Sequence, residues 1–368
     1  MKIERIELRE IGVDLKFRFE TSFGVKGDLT KLLVVLHSEG LEGYGEVTAG
    51  TVPGYNYETS RTAWVVLEDH VFPAIAGKSF STPAQLRAAL ANIRGHNMTI
   101  GAVEAAFWDL LAKSYNTPLW QLLGGVRTEI PVGASLGIQE SIAATVAEAE
   151  KHAAEGYRRL KFKIKPGWDV QPLRAVREAL PDMALTVDAN SANRITDARV
   201  FLELDELGLD YIEQPLTYDD LVDHAKLQAL IGTPICLDES VLSPEDARKG
   251  LEIDAGRVIN IKLGRVTGHL GARRVHDVAL SFGAPVWCGG SLELGIGRAH
   301  NLHMSSLENF TLPGDTSSAT RYWGDEDIIE EVLDAKAGIQ HLPTTGPGLG
   351  VTLRHDLIEK FTLRKLVV

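Results

Sequence analysis

The chain has 368 residues, of which 44% are hydrophobic, and its formal net charge is −12 at pH 7. This length is too great for one small domain and suits a barrel of about 250 residues with a second domain beside it. The acidic balance argues against nucleic acid or an anionic membrane surface as a partner, so an anionic substrate must be attracted by local charges.

The two cysteines and the N-terminal residues indicate the compartment. Cys236 and Cys288 each lie in an apolar, strand-like run, which favours buried, reduced thiols and a cytoplasmic protein. The first ten residues alternate charged and apolar side chains, which is typical of a strand and not of a signal peptide. No stretch approaches the roughly 18 apolar residues of a membrane span, so we expect no membrane partner.

The first part of the chain predicts an α+β domain. Three strands are expected, at residues 3–8, 31–37 and 41–48, and two glycine-containing loops, at residues 21–28 and 49–57. Three helices are expected after them, at residues 59–76, 82–93 and 99–115. A β-meander followed by a group of helices is typical of an α+β fold.

A strand–helix rhythm then begins, which is typical of a parallel barrel. Eight strands are predicted, at residues 131–137, 158–165, 184–190, 211–213, 234–239, 258–263, 285–289 and 310–312. Seven helices are predicted to start near residues 141, 169, 196, 219, 243, 267 and 295, several of them at Ser, Thr or Asp caps. The expected fold class is α/β, a modified (β/α)7β TIM-like barrel with an N-terminal α+β capping domain that the C-terminal tail completes. The predicted domains are residues 1–125, 126–324 and 325–368.

Five charged residues stand at the C-terminal ends of five predicted strands. Their successive separations are 25, 25, 25 and 24 residues, and they are Lys163, Asp188, Glu213, Asp238 and Lys262. Such a separation fits one strand, one helix and two short loops. Because the C-terminal ends of parallel barrel strands meet at one mouth, these side chains are expected to gather there.

Three of these five residues are carboxylates and predict a metal site. Asp188, Glu213 and Asp238 supply hard oxygen ligands, which suit Mg²⁺, with Mn²⁺ as a substitute. Any one of them alone is better explained as a helix cap or a surface residue. Three on consecutive strand–helix units favour a metal, and no cluster of Cys and His residues indicates zinc.

The lysines predict acid–base chemistry. Lys161 and Lys163 lie two residues apart on one strand and therefore face the same way. Crowding of two ammonium groups is expected to lower a lysine pKa and to prepare a base, although a basic edge strand would also explain the run KFKIK. Lys262 ends a strand four units further round the barrel, so it approaches from the opposite side. Two such bases could reach both faces of the α-carbon of a bound carboxylate.

Four residues are predicted to support this site. Lys161 neighbours the first base, Asn190 has the strand parity of Asp188, and Glu239 could orient a lysine. Glu293, in the run GGSLELGIG after the seventh strand, could contact a lysine or a developing oxyanion.

Long stretches of the chain resemble the enolase superfamily, in its muconate-lactonising subgroup. They are LKFRFETSFG, SLGI, GYRRLKFKIKPGWD, VDANSA, YIEQPL, DHAKL, CLDES, RVHDV, GGSLELGIGRAHN and LPGDTSSATRYW. The resemblance covers nearly the whole chain and extends to the group of N-succinylamino-acid racemases and o-succinylbenzoate synthases. It implies that Lys163 and Lys262 are the acid/base pair, that the three carboxylates bind Mg²⁺, and that residues 21–24 close over the substrate.

The resemblance also implies an activity and a set of contacts to a small-molecule carboxylate substrate. The activity is removal of a proton α to a carboxylate, in N-succinyl- or N-acylamino acid racemisation, in o-succinylbenzoate synthesis by dehydration, or in both. Substrate-binding residues are expected at Ser22, Phe23, Ser135, Ser291, Leu292 and Leu294. Relatives usually have methionine in place of Ser291 and a small residue in place of Leu294, which leaves the side-chain preference open. A homo-oligomer is expected.

Three alternatives remain open from the sequence. Dipeptide epimerases of the same superfamily generally carry an Asp-x-Asp pair where this chain reads SLELG, which argues against that activity. Muconate cycloisomerisation has less support in the local sequence. A catalytically silent barrel that only binds ligands would be signalled by replaced lysines or carboxylates, and none is replaced.

Overall fold

The structure is a computed structural model that describes residues 1–344 and 346–368, without the side chains of residues 18 and 26–28. The strands are β1 (Arg5–Thr21), β2 (Gly24–Ser38), β3 (Leu41–Val47), β4 (Glu129–Pro131), β5 (Ala134–Leu136), β6 (Arg159–Lys163), β7 (Ala184–Asp188), β8 (Tyr211–Glu213), β9 (Ile235–Leu237), β10 (Val258–Ile261), β11 (Val286–Cys288), β12 (Ile339–His341) and β13 (Thr362–Val367).

The helices surround these strands. They are α1 (Ser60–Val66), α2 (Phe72–Ile75), α3 (Pro83–Ala89), α4 (Asn97–Ser114), α5 (Leu119–Leu123), α6 (Ile142–Ala154), α7 (Val170–Ala179), α8 (Ala198–Asp205), α9 (Val222–Gln228), α10 (Pro244–Glu252), α11 (Gly268–Ser281), α12 (Gly295–Ser305), α13 (Thr320–Trp323) and α14 (His355–Phe361). A π-helical turn, Leu67–Val71, joins α1 to α2, and a 3₁₀ turn, Ile195–Asp197, leads into α8. No helix of the described residues combines the length and apolarity that crossing a bilayer requires.

An antiparallel sheet in the order β13-β1-β2-β3 forms the base of the first domain. Alternate side chains of β1 and β2, including Ile6, Leu8, Leu32 and Val34, are buried in one apolar cluster with helices α1 to α4. Strand periodicity of two places these residues on one face, so the sheet and the helices form two layers.

The hairpin of β1 and β2 is longer than the sequence analysis predicted. Residues 21–28 were expected to form a loop, but Thr21 pairs with Gly24 and the turn contains only Ser22 and Phe23. Residues 15–20 alternate apolar and charged side chains, which is the pattern of a half-buried strand. The segment expected to close over the substrate is therefore the tip of a hairpin.

The second domain confirms the expected barrel class and corrects its eighth strand. Seven parallel strands follow the order β11-β10-β9-β8-β7-β6-β5. The eighth position is occupied by two isolated parallel bridges, from Val286 to Phe310 and from Val132 to Gly314. Pro313 stands between the two bridges, and a proline has no N–H to donate to a ladder. The sheet is therefore completed by bridges and not by a regular strand at residues 310–312.

The predicted strand at residues 131–137 divides into two. Its first part belongs to β4, which pairs with β12 in a separate two-stranded antiparallel sheet. Its second part, β5, is the first barrel strand and pairs with β6. Short α5 was not predicted.

The C-terminal segment returns to the first domain. β13 runs antiparallel to β1, with Leu366 opposite Leu8. This pairing supports the predicted return of the tail, while the domain limits themselves remain a prediction. Helix α4 packs on β3 and on α11 of the barrel, and one apolar cluster includes Ile11 and Leu33 together with barrel residues. The first domain is thus packed against the barrel.

Candidate active site

The five charged residues of the sequence pattern meet at the C-terminal end of the barrel. Lys163, Asp188 and Glu213 are in register across β6, β7 and β8. Asp238 and Lys262 directly follow β9 and β10. The three carboxylate side chains are fully buried, so their charges interact in a medium that screens them weakly.

A cavity of about 530 Å³ lies above these residues, between the first domain and the barrel. The first domain contributes Phe19, Thr21, Phe23, Tyr55 and Glu58, among others. The barrel contributes Ser135, Lys161, Lys163, Asn190, Lys262, Ser291, Leu292, Glu293 and Asp315, among others. The candidate site is therefore closed by both domains.

Lys163 is held by groups from the neighbouring strand. Its Nζ donates to Asp188 Oδ2 and, at 2.9 Å, to Asn190 Oδ1. The amide of Asn190 donates in turn to Glu239 Oε1 at 3.3 Å. Asn190 has φ of 43°, a left-handed conformation that asparagine tolerates better than most residues. Asn190 therefore holds the Lys163 side chain, and Glu239 holds Asn190, while their supporting role in catalysis remains a prediction.

Lys161 lies among carboxylates, so the expected crowding of two ammonium groups does not lower its pKa. Its Nζ is 2.5 Å from Asp315 Oδ2, 2.9 Å from Glu213 Oε2 and 3.6 Å from Asp188 Oδ2. Burial lowers the pKa of Lys161, but the charges of Asp315, Glu213 and Asp188 outweigh burial and raise it. Lys161 is therefore a fixed cation, because acids from three different segments surround it.

Lys262 faces the cavity from the other side of the barrel end. Its Nζ donates to Asp238 Oδ2 at 2.7 Å and lies 4.2 Å from the centre of the Tyr55 ring. Burial lowers the pKa of Lys262, but Tyr55, Glu239 and the nearby carboxylates outweigh burial and raise it. In this arrangement Lys262 carries its proton.

The carboxylates accept further hydrogen bonds from side chains around the barrel end. Asp238 Oδ1 accepts the hydroxyl of Tyr55 at 2.9 Å and pairs with the guanidinium group of Arg265. Glu213 Oε1 accepts the amide of Asn260 at 2.7 Å. Burial and the adjacent charge of Asp188 raise the pKa of Glu213. Tyr55 comes from the predicted loop at residues 49–57, where its position could not be inferred from strand parity.

Arg159 and Asp315 were also missed. Asp315 follows the bridge at the eighth barrel position and accepts a hydrogen bond from Arg159 Nη1 at 3.0 Å. Burial raises the pKa of Asp315, but Lys161 and Arg159 lower it to about 2. Arg159 has the strand parity of Lys161 and Lys163, and this signal could have revealed it.

The two predicted supporting glutamates differ in their contacts. Glu239 Oε2 is buried and has no hydrogen-bond partner among the described residues, and burial together with the charge of Asp188 raises the pKa of Glu239 to about 7. Glu293 lines the cavity and accepts the backbone N–H of Ser291 at 2.8 Å. Glu293 therefore shapes the turn that carries Ser291.

Four of the six predicted substrate-binding residues line the cavity, namely Phe23, Ser135, Ser291 and Leu292. Ser22 is absent from the lining, and its hydroxyl donates to the carbonyl of Asn190 at 3.4 Å. Leu294 is only 1% exposed and belongs to the apolar core. Leu294 is the residue directly before α12, and its N–H donates to Glu46 Oε1 at 3.0 Å. The expected contact of the Leu294 side chain with substrate is therefore wrong.

The predicted metal ligands have suitable donors but no preformed cage. Within the described ranges, no three His, Cys, Asp or Glu side chains are arranged to hold a metal ion. One oxygen of each of Asp188, Glu213 and Asp238 instead accepts a hydrogen bond from a lysine. Burial and the neighbouring charge of Asp188 raise the pKa of Glu213, and Glu239 Oε2 has no hydrogen-bond partner among the described residues, so a bound cation would favour the charged form of these carboxylates. Hard oxygen donors at three neighbouring strand ends fit a divalent cation, provided that the lysines release them.

The fold and the site define a barrel enzyme whose capping domain covers carboxylates and lysines at the strand ends. Residues 5–124 match the mandelate racemase / muconate lactonizing enzyme N-terminal domain, and residues 144–357 match the enolase C-terminal domain-like family. The chain belongs to this enzyme family, within the enolase superfamily. Members of the family generally depend on a divalent metal ion.

Relatives of known name cover almost the whole chain. An N-succinylamino acid racemase of Thermus thermophilus is 53% identical over 363 residues, which are 99% of this chain and 98% of the relative. An o-succinylbenzoate synthase of Geobacillus kaustophilus is 47% identical over 98% of this chain and 96% of the relative. The crystal structure of an enolase-superfamily member from Listeria innocua has a TM-score of 0.96 and 34% identity, covering 100% of this chain and 99% of that one.

Proposed function

We propose that this enzyme removes a proton α to a carboxylate, in N-succinylamino acid racemisation, in o-succinylbenzoate synthesis, or in both. The observation that carries the proposal is the placement of Lys163 and Lys262. They line one cavity from β6 and from the end of β10, with the carboxylates of three intervening strands between them. The relatives bearing these two names are the second support.

Two lysines on opposite sides of a substrate provide a route for racemisation. One lysine, as the neutral amine, takes the α-proton from one face of the substrate. The other, as the ammonium ion, returns a proton to the opposite face. Lys262 has a raised pKa, so it starts as the proton donor in the arrangement described here, and the roles exchange for the other enantiomer.

We propose Mg²⁺ as the cation, with Mn²⁺ as a substitute, held by Asp188, Glu213 and Asp238. When bound, the cation supplies Lewis-acid stabilisation for the negative charge that develops on the substrate carboxylate. Lys161 lies below the same carboxylates, where Asp315 and Glu213 hold it, and its fixed positive charge limits the repulsion among them.

Synthesis of o-succinylbenzoate requires only one proton abstraction. Lys163 would take the α-proton and then give it to the ring hydroxyl, which would leave as water. Lys262 would remain an ammonium ion and stabilise the developing anion and the forming ring by charge and cation–π attraction. The same pair of lysines therefore serves both reactions, with equivalent roles only in racemisation. This step would place the enzyme in menaquinone biosynthesis.

The hairpin tip of the first domain closes the cavity from above. Phe23 lines the cavity, and Ser22 joins the tip to the segment after β7 through the carbonyl of Asn190. A second contact joins the same hairpin to the barrel, because Lys165 Nζ donates to Glu20 Oε1 at 3.0 Å. Such a tip can exclude water from the reacting groups once a substrate is bound.

A substrate screen with added Mg²⁺ tests the proposal. We expect α-deuterium exchange into N-succinylamino acids, dehydration of the o-succinylbenzoate precursor, or both, at rates well above those with an L-Ala-L/D-Glu dipeptide or with muconate. N-acetylamino acids are included to test the acyl group. Exchange limited to the dipeptide would favour the epimerase alternative. Absence of any turnover would favour a silent barrel that only binds ligands.

Ser291 is expected to influence the side-chain preference. Ser291 lines the cavity, and Ser291→Met adds a larger side chain there. One methylene in a hydrophobic pocket changes the discrimination between two substrates by ~1–3 kcal/mol. We expect relative kcat/KM among N-succinylamino acids to shift about tenfold or more. Leu294→Ala is the comparison, because Leu294 lies in the core and the change should cost about 2–5 kcal/mol of unfolding free energy without reordering substrates. An unchanged substrate order in Ser291→Met would remove Ser291 from the side-chain pocket.

The remaining sequence predictions belong to this proposal. The partner is a small-molecule carboxylate, and nucleic acid and membranes are not partners, which the net charge of −12 supports. The protein is a cytoplasmic homo-oligomer, and its two cysteines are buried and unpaired, as a reducing compartment would require.

A further inference from the structure

Tyr55 is the first-domain residue that touches one side of the catalytic centre. Its hydroxyl donates to Asp238 Oδ1 at 2.9 Å and accepts from Arg265 Nη1 at 3.1 Å. Its ring lies over the ammonium group of Lys262, at 4.2 Å from Nζ to the ring centre. Tyr55 therefore limits the positions open to Lys262 from above, while Asp238 holds it from below.

The loop that carries Tyr55 is fixed at its far end by a buried carboxylate. Glu58 is 1% exposed and accepts the backbone N–H groups of Met98 and Thr99, at 2.8 and 2.9 Å. These N–H groups belong to the first turn of α4, where a carboxylate is favoured. The Thr99 hydroxyl adds a third hydrogen bond to Glu58, at 2.7 Å.

The same helix start is joined to the barrel segment that follows Lys262. The side-chain amide of Asn97 donates to the carbonyl of Arg265 at 2.9 Å and to that of Leu242 at 3.3 Å. The loop of Tyr55 and the segment of Arg265 are therefore anchored to one point. This anchoring gives Tyr55 a defined position relative to Lys262, as a positioning group requires.

We propose that Tyr55 is a positioning residue for Lys262, so that the first domain controls proton transfer on one face of the substrate and not on the other. The proposal rests on the proposed two-lysine function. Its selectivity follows from the contacts of the described residues, because Lys163 is held by Asp188 and Asn190 and neither of these two forms a hydrogen bond with Tyr55 there. A change at Tyr55 therefore disturbs Lys262 and leaves the partners of Lys163 in place.

The test measures proton exchange on each face separately. Pure L and D forms of one N-succinylamino acid are incubated in D₂O with saturating Mg²⁺, and α-deuterium incorporation is followed by NMR for the unmodified enzyme and for Tyr55→Phe and Tyr55→Leu. The enantiomer served by Lys262 is the one whose exchange Lys262→Ala abolishes. For that enantiomer we expect exchange to fall about 10- to 100-fold, the scale of a small misplacement of a catalytic group. Exchange of the other enantiomer should stay within about twofold.

A control on the same loop separates positioning from loop damage. Tyr57 is exposed and packs edge to face on His96, so Tyr57→Phe removes the same atom outside the cavity and should change neither rate. The Mg²⁺ dependence and the thermal midpoint are measured for each variant. A selective loss in either Tyr55 variant supports the proposal.

Two results would overturn it in different ways. Equal losses on both faces, or no loss in either variant, would show that Tyr55 acts through Asp238 and metal affinity or has no role, and this inference alone would fail. No exchange of either enantiomer by the unmodified enzyme would overturn the proposed function and this inference with it.

Discussion

Lys163→Ala is expected to abolish α-proton exchange from one enantiomer of an N-succinylamino acid, and Lys262→Ala from the other. Each variant should also stop racemisation, because the reaction needs a base on one face and an acid on the other. A positioned acid or base contributes about 10²- to 10⁴-fold, so the affected exchange should fall by at least that factor. The reason lies in the cavity, which the two lysines line from strands separated by β7, β8 and β9.

The measurement is deuterium incorporation into each pure enantiomer by each single variant. Lys226→Ala is a suitable control, since Lys226 is an exposed residue of α9 whose Nζ pairs with Asp223 on the same helix. Loss of exchange from the same enantiomer in both catalytic variants would contradict the two-face arrangement. In the synthase reaction the lysines differ, so Lys262→Arg should retain more synthase than racemase activity because the positive charge remains.

Removal of divalent cations is expected to abolish activity, and Mg²⁺ or Mn²⁺ to restore it. The α-proton of a carboxylate is very weakly acidic, and Lewis-acid stabilisation of the developing charge is worth several kcal/mol. At about 1.4 kcal/mol for each tenfold change, this corresponds to a loss of at least about 10³-fold. Full activity of rigorously stripped enzyme would be incompatible with a metal-dependent reaction at these carboxylates.

The Asp188→Asn variant connects this metal requirement to a residue. It removes one of the three carboxylates proposed to hold the cation, so calorimetric Mg²⁺ affinity should fall strongly. Mg²⁺ binding is measured directly because Asp188 also accepts a hydrogen bond from Lys163. A loss of activity alone would not distinguish a lost metal ligand from a displaced lysine. Asp254→Asn is the matched control, since Asp254 is an exposed partner of Arg257. Equal Mg²⁺ affinity in the two variants would reject Asp188 as a ligand.

The sequence alone determined the barrel and the positions of its charged residues. The regular spacing from Lys163 to Lys262 reflects repeated strand–helix units, and parallel strands bring their C-terminal ends to one mouth whatever the remaining sequence. The same rule predicts that Asp188, Glu213 and Asp238 lie at the ends of neighbouring strands. Local hydrophobic pattern and spacing carry this information because each unit has nearly the same length.

The tertiary structure decided which other residues reach the site. Tyr55 lies in a loop, and Asp315 follows a bridge at the eighth barrel position. Neither segment has a periodic sequence pattern that would indicate where these side chains point. Leu294 was wrongly placed in the cavity because the start of α12 turns its side chain into the core.

The charge state of Lys161 was also decided by the tertiary structure. Its neighbour on the strand, Lys163, is visible in the sequence, whereas Asp315 and Glu213 approach from distant segments and raise its pKa. Strand parity determines which way a side chain points, but its electrostatic environment depends on contacts across the barrel. Burial strengthens those contacts, and this is why the identity of distant neighbours outweighs the local sequence.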